Sequence, residues 1–186
     1  MAKATEYVAL LRGINVGGKN LIKMTALKAC FEAQGFADVK TYIQSGNVLF
    51  KAGGEAAKLT RSIEKALAAA FGYAATVVVR SRKELKQIVS RAPTGFGEDP
   101  AKYRYDVLFL MAPLTAKAAL AAVPAKAGVD AVTAGKDVLY YSRLVSKATQ
   151  SQLSRVVGMP IYKQMTIRNW NTTSKLLQLM EAEEAA

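Results

Sequence analysis

An arginine, a lysine, two asparagines and three glycines fall within nine residues, Arg12-Gly13-Ile14-Asn15-Val16-Gly17-Gly18-Lys19-Asn20, directly after the apolar run 7–11. Glycine admits positive φ and lets other groups approach the main chain closely. Backbone N–H groups flanked by Arg12 and Lys19 are the ingredients of an anion cradle, so the chemistry on offer is the holding of phosphate-like charge. Two more segments are dense in polar groups. Gln44-Ser45-Gly46-Asn47 lies between two apolar runs, and Thr166-Ile167-Arg168-Asn169-Trp170-Asn171-Thr172 precedes a helical pattern. The candidate ligand-binding set is therefore Arg12, Asn15, Gly17, Gly18 and Lys19 of the loop, Gln44, Ser45 and Asn47 of the turn, and Arg168 and Asn169. In the last segment a capped helix is the plainer reading, with Asn169 or Asn171 as N-cap and Trp170 on the core. The functional alternative makes Arg168 and the helix N-terminus anion ligands.

Composition removes whole classes of reaction. The chain has no histidine, which excludes Ser-His and Cys-His nucleophile pairs, HExxH metal sites and imidazole bases. A single cysteine, Cys30, excludes a cysteine-based structural zinc site. Its place beside Leu27 and Phe31 in a helical pattern suggests a small buried hydrophobe, as suits a reducing cytoplasm. No metal site and no cofactor is implied. No apolar stretch reaches the ~18 residues that span a bilayer, so no membrane partner is expected and the expected location is the cytoplasm.

The formal charge is +12, with 15 Lys and Arg against 6 Asp and Glu over residues 1–93 and 11 against 8 over residues 94–186. A field of that sign attracts phosphorylated small molecules or a nucleic-acid backbone, which are the expected partners. Gly13-x-x-x-x-Gly18-Lys19 matches a phosphate loop up to its final position, where Asn20 replaces the hydroxyl that would hold Mg²⁺. The helix also starts several residues late, which argues against a nucleotidase. An RNA-recognition module needs aromatics on its two middle strands, and the run Ser45–Phe50 sets Ser and Asn where two rings would sit. The basic run Arg80-Ser81-Arg82-Lys83-x-x-Lys86 reads as a solvated helix face. Asp106 and Asp137 border strands and suit ordinary ion pairs.

The elements that must carry these groups come in two similar sets. Residues 6–80 parse as βαββαβ: strand 6–12, helix 25–34 capped by Thr25 and Gly35, and strand 39–43. A tight turn at Ser45-Gly46, strand 48–51, a helix with Leu59, Ile63, Leu67 and Phe71 in register, and strand 75–80 complete the set. The second half repeats much of this: strand 105–111, helix 115–123, strands 129–133 and 138–141, a helix near 151–157, an extended piece 164–167 and a last helix. The boundaries expected are 1–81 for one ferredoxin-like subdomain, 82–104 for a linking helix and loop, and 105–186 for a second such subdomain with a terminal helix. The fold class is α+β, with two antiparallel sheets packed together. In such a sheet the first strand ends where the hairpin turns, so the loop at 12–20 and the turn at 44–47 should be neighbours. The first strand is apolar on both faces, which requires cover on the side away from the helices, from the second half or a partner chain.

With these segments in hand, the chain resembles the bacterial family known as domain of unknown function 1697. The resemblance rests on the run Tyr7–Gly18, on Tyr42-Ile43-Gln44-Ser45-Gly46-Asn47-Val48 and on the run Thr166–Thr172. It implies an α+β fold of two ferredoxin-like subdomains and carries no established activity. An enzyme acting on a phosphorylated small molecule, and motifs that only fix tight turns and caps, stand as alternatives to anion binding.

Overall fold

The computed structural model describes residues 4–15, 21–72 and 74–182. The chain divides into two compact units, Met1–Lys86 with Leu176–Ala186, and Gln87–Lys175.

In the first unit β1 (Thr5–Arg12) leads to α1 (Met24–Glu32), β2 (Ala37–Tyr42), β3 (Asn47–Ala52), α2 (Ala56–Phe71), β4 (Thr76–Ser81) and the start of α3 (Arg82–Ser90). The antiparallel sheet runs β2-β3-β1-β4, the ferredoxin-like order. Period-2 alternation turns Tyr7, Ala9 and Leu11 toward Leu27 and Phe31 of α1 and Leu59, Ile63 and Leu67 of α2. The residues between them, Val8 and Leu10, are fully buried as well. A reciprocal capping box starts α3: Glu84 accepts from the Ser81 N–H at 2.7 Å and the Ser81 hydroxyl accepts from the Glu84 N–H at 3.3 Å.

The second unit repeats the plan with β5 (Tyr103–Leu110), α4 (Ala116–Ala122), β6 (Asp130–Ala134), β7 (Val138–Leu144), α5 (Leu153–Val156) and β8 (Met165–Asn169). Its sheet runs β6-β7-β5-β8, the same order as the first. Leu108, Leu110, Leu139 and Tyr141 pack with Ala119 and Val123 around α4 and with Leu153 and Val156 of α5. The terminal helix α6 (Trp170–Ala182) begins in this unit, and its residues from Leu176 onward group with the first.

The structure revises several local expectations. Helix α1 begins at Met24 with Lys23 as N-cap and no side-chain cap, so Thr25 lies inside the helix. The helix ends at Ala33, and Gly35 takes its positive φ of 79° two residues later. The hairpin between β2 and β3 is a four-residue connection, with Ile43 at φ 48° and Gly46 at φ 78°, not a two-residue turn. The helix expected at 151–157 is one turn of α-helix between 3₁₀ segments at Val145–Gln150 and Pro160–Gln164. Asp137 occupies a left-handed turn position at φ 58°, and its carbonyl, not an ion pair, engages the chain by accepting from the Leu110 N–H.

Candidate functional site

The end of β1 and the β2–β3 connection meet on one edge of the first sheet. The Leu11 N–H donates to the Gly46 carbonyl at 2.8 Å. Asn15, at φ 52°, then ties three points together with one amide. Its Oδ1 accepts from the Ile22 N–H at 2.8 Å, while its Nδ2 donates to the Ile22 carbonyl at 3.0 Å and to the Gln44 carbonyl at 2.9 Å. Gly46 makes the approach possible. A Cβ there would sit 2.7 Å from Ile14 Cδ1 and 2.9 Å from Leu11 Cβ, on a backbone already at positive φ.

The cations and amides of this edge have distinct surroundings. Arg12, partly buried, donates from Nη2 to the Thr76 hydroxyl of β4 at 3.1 Å. Asn47 is fully buried, and its Nδ2 donates to the Tyr42 carbonyl and the Ser45 hydroxyl, both at 3.0 Å. Asn47 is therefore a hairpin brace. Gln44 is exposed and contributes its main-chain carbonyl to Asn15. Gly17, Gly18 and Lys19 lie outside the described residues.

Arg168 and Asn169 belong to the second unit. Arg168 is buried, and its Nη1 donates to the Thr166 hydroxyl at 3.0 Å and the Ile167 carbonyl at 2.8 Å. Burial works against its charge and pulls the guanidinium below its usual range, while Tyr162 favours the charged form. Asn169 is the cap of α6, its Oδ1 accepting from the Thr172 N–H at 2.7 Å. Trp170, expected on the core, is half-buried and stands against Phe96, with ring centroids 5.2 Å apart.

An aromatic group in this unit was not among the sequence candidates. Tyr103 and Tyr105 alternate along β5, and Tyr140 lies on the neighbouring β7. Phe96, from the loop before β5, meets Tyr105 at 4.9 Å and Tyr140 at 5.3 Å, both edge-on. Gly97 seats that loop: it sits at φ 91°, and a Cβ there would overlap the Trp170 indole. The signal available in the sequence was the i, i+2 spacing of Tyr103 and Tyr105 within an apolar strand.

Asp106 is a buried carboxylate on β5 with its Oδ2 3.5 Å from Arg143 Nη2. Burial pushes its carboxyl up, and the Arg143 charge pulls it part of the way back. Among the described residues no three Asp, Glu or Cys side chains gather where they could hold a metal ion. No helix of the described residues is long and apolar enough to cross a membrane.

Two four-stranded antiparallel sheets of identical strand order, each with its own helices, define an α+β protein built of two ferredoxin-like subdomains. The chain belongs to the family described as "Protein of unknown function (DUF1697)", which matches residues 4–140. It is also similar to the conserved bacterial protein SP0830 from Streptococcus pneumoniae, at 26% identity and a TM-score of 0.83, over 96% of this chain and 99% of that one. No curated protein matches the chain. Membership fixes the fold and leaves the ligand to be argued from the site's own chemistry.

Proposed function

We propose that this protein binds an anionic ligand, a phosphorylated metabolite or a nucleic-acid backbone, at the Arg12–Asn20 loop, whose described part, residues 12–15, shares an edge with residues 44–47. The observation that carries the reading is the Asn15 clamp. One amide holds the end of β1, Ile22 and Gln44 together, with the Arg12 guanidinium on the same edge. Between Asn15 and Ile22 the sequence supplies two glycines and Lys19, the composition of a backbone anion cradle. A partly buried lone thiol, Cys30, suits a cytoplasmic setting.

A second reading, in which the motifs serve only the fold, has its own support. The amides of Asn15 and Asn47 are engaged by backbone and hydroxyl groups, as structural braces would be.

Thermal unfolding with and without phosphate, sulfate, nucleotides and short oligonucleotides separates the two. Anion binding predicts that at least one of these raises the wild-type midpoint. Arg12→Ala and Lys19→Ala should each hold the fold to within about 1 kcal/mol and abolish that rise. Asn15→Ala should lower the midpoint without any anion, because three main-chain groups lose their partner. A wild type that none of these anions stabilises makes the structural reading the correct one.

A further inference from the structure

On the second sheet, alternation puts Tyr103 and Tyr105 of β5, Tyr140 and Ser142 of β7, and Thr133 of β6 on the face opposite Leu108, Leu139 and Tyr141. The chain before β5 crosses this face and forms with it an open pocket of about 230 Å³ walled by Phe96, Tyr103, Tyr105 and Tyr140. Thr94, Thr133 and Ser142 line the same pocket. A second pocket, of about 210 Å³, shares Tyr103 and Tyr105 as a wall and is lined beyond them by Arg104, Asn169, Trp170 and Asn171. Two of the aromatic hydroxyls are already engaged. Tyr140 donates to the Ile88 carbonyl at 2.6 Å, and Tyr105 accepts from the Asp99 N–H at 3.3 Å. Their rings are thereby fixed as walls, while the threonine and serine hydroxyls supply polar contacts.

We infer that these paired pockets form a nucleotide site, with a nucleobase in the first and its phosphate in the second. Each pocket is smaller than the ~300 Å³ at which drug-sized pockets begin, which suits one planar heterocycle and one small charged group. Aromatic walls accept any base by its π-face, and hydroxyls at the margin satisfy its ring nitrogens and exocyclic groups. Arg104 is exposed and fixed by its Nη1 donation to the Pro100 carbonyl at 2.7 Å, which holds a planar cation in the second pocket. Lys102 adds charge at the rim, its Nζ 5.3 Å from the Tyr103 ring centre. The Asp99 carboxylate on this loop accepts from the Lys102 N–H. The corresponding face of the first sheet, opposite its helices, carries the aliphatic Val8, Leu10 and Leu49, so stacking belongs to the second unit alone among the two. This site does not rest on the proposal for the 12–20 edge.

Trp170 is the single tryptophan of the chain and lines the second pocket, so its emission reports occupancy directly. The full-length protein is titrated with adenosine, AMP, UMP and a single-stranded RNA hexamer. The expected result is a saturable change in emission with AMP, weakened about tenfold or more by Tyr103→Ala and by Tyr105→Ala. Arg104→Ala should weaken AMP and leave adenosine unchanged. Thr133→Phe, which fills the first pocket from an exposed strand position without adding a second tryptophan, should abolish binding with the fold intact by circular dichroism. A hexamer that binds more than tenfold tighter than AMP identifies the base as part of a strand, and one that does not identifies a free nucleotide. No saturable response to any of the four probes, or AMP binding unchanged in both Thr133→Phe and Arg104→Ala, overturns the proposal.

Discussion

At the residue scale, Asp106 gives the clearest signature of a group held against its preference. Its folded-state value is raised by burial above the ordinary ~3.9 of an aspartate, so the folded chain takes up this proton before the unfolded chain does. The penalty is present in full above the folded value and is relieved as pH falls through it toward the unfolded one. Stability from this residue therefore increases as the solution is acidified through that window. Asp106→Asn should remove the increment and flatten urea-derived stability over the same range; an unaltered pH profile in the variant would show that Arg143 already cancels the burial cost. The sequence presented Asp106 as an ordinary partner for an ion pair, and the pair exists. Its burial was hidden because a lone carboxylate in a strand reads the same on either face until the sheet closes. Asn15 and Asn47 were legible as members of one edge but not as braces. Their hydrogen bonds depend on a left-handed residue and a close backbone approach that no spacing rule encodes.

At the element scale, periodicity carried most of the fold. Strands 6–12 and 48–51 and the helix containing Leu59, Ile63 and Leu67 were readable from alternation and i, i+4 spacing, and the structure sets each within a residue or a few of its expected place. The helix start at Met24 was not, because Lys23 supplies no capping side chain to announce it. The region 145–164 failed for another reason. It consists of short 3₁₀ and single-turn segments whose stability is tertiary, so no amphipathic stripe is long enough to register. Two glycines set how elements meet, and each gives the same kind of prediction. Gly46→Ala would crowd Leu11 and Ile14, and Gly97→Ala would collide with the Trp170 indole. Both also force a side chain onto positive φ, so each should cost about 2 kcal/mol or more in chemical unfolding, against a few tenths for Gly158→Ala, which stands outside the positive-φ region with its nearest neighbour 3.7 Å away. Gly97→Ala should in addition shift the emission of Trp170. Equal midpoints for wild type and both alanine variants would refute the close-packing argument.

At the scale of the whole molecule, the excess of positive charge gives a prediction that is independent of any single contact. If the anion is a nucleic-acid duplex, log K should fall by ~0.9 per phosphate neutralised for each tenfold rise in salt, so a double-logarithmic titration between 50 and 200 mM salt counts the contacts. Affinity that ignores salt over that range would assign the ligand to a small desolvated site instead. The repeated strand order was legible at this scale too, since the second half echoes the first element by element. What the repeat concealed is that equivalent faces differ in chemistry: opposite its helices the first sheet carries Val8, Leu10 and Leu49, and the second carries Tyr103, Tyr105 and Tyr140.

The Asn15 amide has an evolutionary consequence. By holding Ile22 through both its main-chain groups and Gln44 through its carbonyl, one side chain makes distant parts of the chain depend on a single position. A replacement there without an amide has to be answered at three main-chain groups at once, so this position resists drift even among descendants whose ligands have diverged.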